Sequence, residues 1–167
     1  LLAGFRSPHN SPNNIVYLEN VYPDKIRKYF PDLGYNVIII NGIGTDVQSR
    51  LNGQDLDTDS IYTTNQKDIV ELAKKAYAEY PTIINEIQYG TNEYDKSMKS
   101  YSKMDSNISS AQYNIGSASN IAQLALSYWF DGGCEDKGLE DVFIICSVLA
   151  QVAIDSCKRS FEIKVGA

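Results

Sequence analysis

Hydrophobic and polar positions change period near residue 64 of this chain. Before that point apolar residues alternate, or run in short blocks between clusters of turn-forming residues, as strands do. Residues 15–21 read as a half-buried strand. Residues 35–41, with Val37-Ile-Ile-Ile40 at their centre, read as a strand buried on both faces. A short strand is expected at 60–63. Between these, Pro23-Asp24 opens a short helix that Pro31 stops. Arg6-Ser-Pro-His-Asn-Ser-Pro-Asn-Asn14 is a proline- and asparagine-rich loop.

From residue 65 onward the period is helical. Thr64 or Asn65 can cap a helix running to about Tyr80, with Ile69, Leu72, Ala73 and Ala76 on one face. Further helices are expected at 94–104, at 108–113 and at 120–130, the last with Ile121, Leu124, Ala125 and Tyr128 on one face. Asp131-Gly-Gly133 breaks the chain before the most apolar helix, 139–160. The pattern therefore predicts an α+β protein, with a strand-rich region at 1–64 and a helical region at 65–167.

Composition narrows the class. A 167-residue chain that is 43% hydrophobic can bury a core without metal or disulfide staples. The expected origin is a piece of a longer protein. Net charge is −6, from 15 basic and 21 acidic residues, which disfavours tight duplex binding by this segment alone. The run 142–154 is interrupted by Ser147 and Gln151 and is too short for a membrane span. It reads as a buried helix. Cys146 and Cys157 stand about 16 Å apart along it, too far for a disulfide. With Cys134 they are expected to be free core thiols of a cytoplasmic protein.

The candidate chemistry lies in Asn52-Gly-Gln-Asp-Leu-Asp-Thr-Asp59. Asp55, Asp57 and Asp59 alternate with Leu56 and Thr58, so an extended backbone points all three carboxylates one way. Such charges repel unless a cation sits among them, and oxygen-only donors suit Mg²⁺ or Mn²⁺. Gly53 allows a tight backbone approach. A solvated acidic loop is the plain alternative. An EF-hand is excluded, because its required Gly and Glu positions hold Ser60 and Gln66. The polar lead-in 49–54 also disfavours an Asp-x-Asp phosphatase.

Asp55-Leu-Asp-Thr-Asp59 resembles the catalytic Asp-x-Asp-x-Asp loop of the two-barrel RNA polymerases, closest to the silencing-type RNA-dependent enzymes and single-chain phage relatives. Thr58 replaces the family's usual Gly. Upstream, Arg6-Ser-Pro8, Pro12 and Ile15 resemble the family's Arg-x-Pro segment. Asn52 resembles the asparagine that opens the loop, with one extra residue before the first aspartate. Downstream, Ala153-Ile-Asp-Ser-Cys-Lys158 matches an Ala-Val-Asp-x-x-Lys pattern, with Ser160 where a glycine usually follows.

The resemblance implies strands forming part or all of a double-psi β-barrel, and nucleotidyl transfer with Mg²⁺ (or Mn²⁺) held by Asp55, Asp57 and Asp59. It implies Arg6, Asn52 and Lys158 as substrate-contacting residues. Implied partners are nucleoside triphosphates, a nucleic-acid template, and a second barrel elsewhere in the chain or in a partner subunit. The segment alone is expected to be inactive. The alternative is a non-catalytic, metal-stabilised interaction module or polymerase remnant. A calcium-stabilised structural loop is a third reading.

Other residues have plainer readings. Lys158 and Arg159 also suit a helix C-terminus. His9 is the sole histidine and lies in the Pro/Asn loop, so no triad role is assigned. Arg50 reads equally as neutralising a carboxylate or touching phosphate. Tyrosines such as Tyr17, Tyr62, Tyr77, Tyr101 and Tyr128 read as packing residues rather than base-stacking platforms.

Overall fold

The structure, a computed structural model, describes residues 1–55, 58–85 and 95–159, with side chains described as far as Asp155. It is α+β: a small N-terminal antiparallel sheet followed by mostly helices. The elements are β1 (Leu2–Phe5), β2 (Val16–Leu18), α1 (Asp24–Tyr29), α2 (Val47–Arg50), β3 (Tyr62–Thr64), α3 (Lys67–Glu79), α4 (Met98–Asp131) and α5 (Lys137–Arg159).

The sheet order is β2-β1-β3, with Ala3 opposite Tyr17 and Thr64, and Gly4 opposite Val16 and Thr63. Successive side chains point to opposite faces, and both faces are covered. Ala3, with Phe5 and Tyr17, packs on Val70 and Ala73 of α3. On the other face Val16 packs on Val47 and Leu51, joined by Leu18, Ile40 and Ile61. Gly4 lies between these layers for steric reasons. A Cβ there would stand 3.0 Å from Val16 Cγ2 and within 3.7 Å of Ile61.

Helices α4 and α5 form an antiparallel hairpin. Ala111, Ala118, Ala122, Ala125 and Trp129 are the buried residues of α4, spaced seven, four, three and four apart. That is the seam of a close-packed helix pair, and small side chains let α5 approach. Ala122, Ala125 and Trp129 meet Phe143 and Cys146, with Trp129 edge-on to Phe143 at 5.3 Å between centroids. The turn is closed by Gly133 and Cys134, both left-handed (φ 84° and 65°), with the Cys134 N–H donating to Trp129 O at 2.8 Å. Asp136 Oδ1 then accepts from the Gly138 and Leu139 amides, capping α5.

Several expectations are corrected. Residues 35–41 are not a strand: 35 and 36 lie in a turn, and 37–40 belong to no ladder among the described residues. Val37, Ile38 and Ile39 are exposed, and only Ile40 reaches the core. A hydrophobic run specifies burial without specifying a partner, and the β2 and β3 edges are not paired to this one.

The separate helices expected at 94–104, 108–113 and 120–130 are one 34-residue helix from 98 onward. Packing along the alanine seam offsets the weak helix preference of its serines, asparagines and Gly116. The face of that helix is also different. Of the expected face only Ala125 is buried; Ile121, Leu124 and Tyr128 are exposed, while Ala118, Ala122 and Trp129 are buried. Large apolar residues suggested one face, but close approach selects the small ones. In α3, Leu72 is exposed and Val70 takes the buried place. Tyr101 and Tyr128 are exposed, and Tyr62 is exposed while its ring stacks on Phe5 at 5.1 Å. Cys146 is buried, and burial pushes its thiol pKa up, but Cys134 is exposed at the hairpin turn. The side chain of Cys157 lies outside the described residues. No described helix is long and apolar enough to cross a membrane.

Candidate functional site

Two segments far apart in sequence meet at the acidic loop. Arg6, just after β1, projects its guanidinium to Asp59, with Nη2 2.6 Å from Oδ1. Its Nη1 donates to the Asn52 carbonyl at 3.2 Å. Asn52 answers through Nδ2, which donates to the carbonyls of Arg6 at 3.2 Å and Pro8 at 2.9 Å. The Arg-x-Pro segment is thus stitched to the acidic loop by four hydrogen bonds, three at Asn52 and one, an ion pair, at Asp59. Asp59 and Arg6 are each only 15% exposed at the side chain, so solvent screens the pair less than at a free surface.

The loop reverses tightly. Asn52 and Gly53 are both left-handed (φ 58° and 65°), as is Thr58 (φ 78°). Asparagine and glycine tolerate this conformation best. The reversal lets the Asp55 amide donate to Asp59 Oδ2 at 2.9 Å, and the Gln54 amide donate to Gln48 O at 2.9 Å. The backbone of the first acid in the cluster is therefore held on the carboxylate of the last. Gly53→Ala is expected to destabilise the chain by about 1–2 kcal/mol through its left-handed backbone. Urea unfolding measures it. There is room for the methyl, since a Cβ at Gly53 would have only Gln151 Oε1 nearby, at 4.0 Å.

Asp57 lies outside the described residues, as does the side chain of Lys158, over which α5 extends. Among the described residues no three His, Cys, Asp or Glu side chains gather closely enough to hold a metal ion. The donor chemistry of Asp55 and Asp59 nonetheless fits a hard divalent cation, being oxygen alone. A positive group already sits on Asp59, in the form of the Arg6 guanidinium.

Arg50 belongs to a different structure. Its side chain is 6% exposed, and Nε pairs with Asp46 Oδ2 at 2.9 Å. Nη2 donates to the Tyr77 and Tyr80 carbonyls, and the guanidinium lies 4.2 Å over the Tyr77 ring. Tyr77 Oη donates to Asp46 Oδ1 at 3.1 Å, and Thr82 also donates to this carboxylate. Partial burial alone would raise the Asp46 pKa. The hydrogen bonds from Thr82 and Arg50, the guanidinium charge and the Tyr77 hydroxyl outweigh it and bring the pKa down to about 2. This network ties the C-terminal end of α3 to α2, the element that leads directly into Asn52.

The Pro/Asn loop is a buried polar layer. Asn10, Ser11, Asn13 and Asn14 are all at most 3% exposed. Asn13 Nδ2 donates to Pro81 O, Gln123 Nε2 donates to His9 O, and Asn14 Nδ2 donates to Arg50 O. Ser147 Oγ of α5 stands 3.0 Å from Asn10 Oδ1 and 2.9 Å from Asn14 Oδ1. One hydroxyl carries one proton. Asn14 is fixed by its bond to Arg50, so that proton goes to Asn14. Asn10 completes the network by turning its amide nitrogen, otherwise unpartnered, to the hydroxyl.

These partners were missed in sequence, although a signal existed. Asp46/Arg50, Asn10/Asn14 and Ser147/Gln151 are all polar pairs four apart, and the last interrupts an otherwise apolar helix. A scan against protein-family models, curated proteins and solved structures finds no match to this chain.

Proposed function

We propose that this chain is the metal-holding part of an RNA polymerase-like nucleotidyltransferase. In this reading its three-stranded sheet contributes to a double-psi β-barrel, and Asp55, Asp57 and Asp59 bind Mg²⁺ or Mn²⁺. The observation that carries the reading is the meeting of Arg6, Asn52 and Asp59, which come from two motif segments that the sequence separates by more than forty residues. Arg6 and Asn52 then face the nucleotide from beside the metal, and Lys158 contacts template or nucleotide. A bound divalent ion supplies activation of the attacking 3′-hydroxyl and charge neutralisation on the phosphates. The chain's own residues hold that ion, neutralise excess carboxylate charge through Arg6, and fix the loop through Asn52. The phosphate-binding lysines come from a second barrel, so this segment binds metal without polymerising.

A second reading draws on the engagement of both Asp59 oxygens by protein groups. It makes the chain a non-catalytic, metal-stabilised module. Titrating Mn²⁺ into the chain while following its paramagnetic resonance tests metal holding. One-site binding that is lost in Asp55→Asn and Asp57→Asn is expected. Preference for Ca²⁺ over Mg²⁺, with a large drop in melting temperature on chelation, would instead identify a structural calcium loop.

A further inference from the structure

Gln151 lies one turn beyond Ser147 on the same side of α5. It is buried at 7% exposure, against the corner where the acidic loop reverses. Its Oε1 is the nearest atom to the position a Gly53 Cβ would occupy, at 4.0 Å. Its Nε2 is a buried donor with no partner. Asn52, the residue before Gly53, is 5% exposed and carries a buried acceptor, Oδ1, also with no partner. Burying an unpaired amide group costs free energy. Here a lone donor and a lone acceptor belong to neighbouring pieces of chain. Their chemistry is complementary: an amide N–H donor on Gln151 and a carbonyl acceptor on Asn52.

We propose that Gln151 is the positioning residue of the acidic loop. Its carboxamide engages the Asn52–Gly53 corner and fixes the turn from which Asp55 and Asp59 are presented. This deepens the metal-holding function above and rests on it for its consequence, since outer-shell partners orient metal-holding carboxylates. The apolar helix α5 thereby reports to the acidic loop through one polar side chain. The Ser147 end of the same turn secures the Pro/Asn loop that carries Arg6.

The test replaces Gln151 by methionine, which keeps length and loses the hydrogen bonds. Val152→Ala is the comparison, a buried apolar neighbour on α5. In the metal-free chain, amide exchange at Gln54 and Asp55 is expected to accelerate about fivefold in Gln151→Met beyond any change in global stability. In Val152→Ala it should track global stability. Mn²⁺ affinity should fall roughly tenfold in Gln151→Met. Unchanged protection of those two amides overturns the proposal. If the variant does not fold, the wild-type chain decides: a nuclear Overhauser contact between the Gln151 carboxamide and the Asn52 side chain or Gly53 Hα supports the proposal, and its absence overturns it. If exchange accelerates but the wild-type chain binds no Mn²⁺, Gln151 still positions the loop and the metal-holding reading is what fails.

Discussion

Asp59→Asn in the full-length polypeptide is expected to reduce nucleotide incorporation by about a thousandfold while leaving the fold intact. The substitution keeps the shape of the side chain, and its one remaining oxygen can still accept from the Asp55 amide, at the cost of turning the new NH2 group toward the Arg6 guanidinium. What is lost is a negative charge that now balances Arg6 and, in the proposed function, helps hold a divalent ion. A metal worth several kcal/mol of transition-state stabilisation corresponds to that factor, at about 1.4 kcal/mol per tenfold. Asp57→Asn should do the same. Rates measured with circular dichroism as a folding check decide it. Unaltered incorporation in both variants would leave only the non-catalytic module.

The second large effect is on stability. Asp46→Ala strands the buried Arg50 guanidinium, which keeps its two carbonyl acceptors but loses its counter-charge. Removing one partner from a fully buried pair costs about 3–5 kcal/mol, and the 39% exposure of the Asp46 side chain moderates this to about 3 kcal/mol. The pH dependence has a definite sign. The Asp46 pKa lies near 2 in the folded chain, below its ordinary value of 3.8, so its contribution is complete above about pH 4. It is lost as pH falls from 4 through 2. Wild type should therefore weaken across that window, and Asp46→Ala should show a flatter acid limb. Urea midpoints at pH 2, 3, 4 and 7 measure both. Equal slopes in the two proteins would mean that Asp46 does not carry the acid sensitivity.

These networks explain why loop residues here behave as core. Asn10, Asn14, Arg50 and Ser147 are buried polar groups with hydrogen-bond partners on other elements, and those bonds form only once the chain has folded. A cluster of proline and asparagine signals a turn. Nothing local distinguishes a solvated turn from one sealed beneath two helices.

The sequence alone determined the change from strand to helix near residue 64 and the two closing helices with the glycine turn between them. Those features are local: alternation, helical spacing and backbone-permissive glycines act within a few residues. Tertiary structure decided which face of α4 is buried, because the approach distance of α5 favours alanine over larger apolar residues. It also decided that residues 37–40 pair with no strand among the described residues, and that Arg6 lies on Asp59 while Arg50 serves Asp46. Arg6 has no carboxylate near it in sequence, so only the folded backbone brings it to Asp59, whereas Asp46 and Arg50 already stand four residues apart.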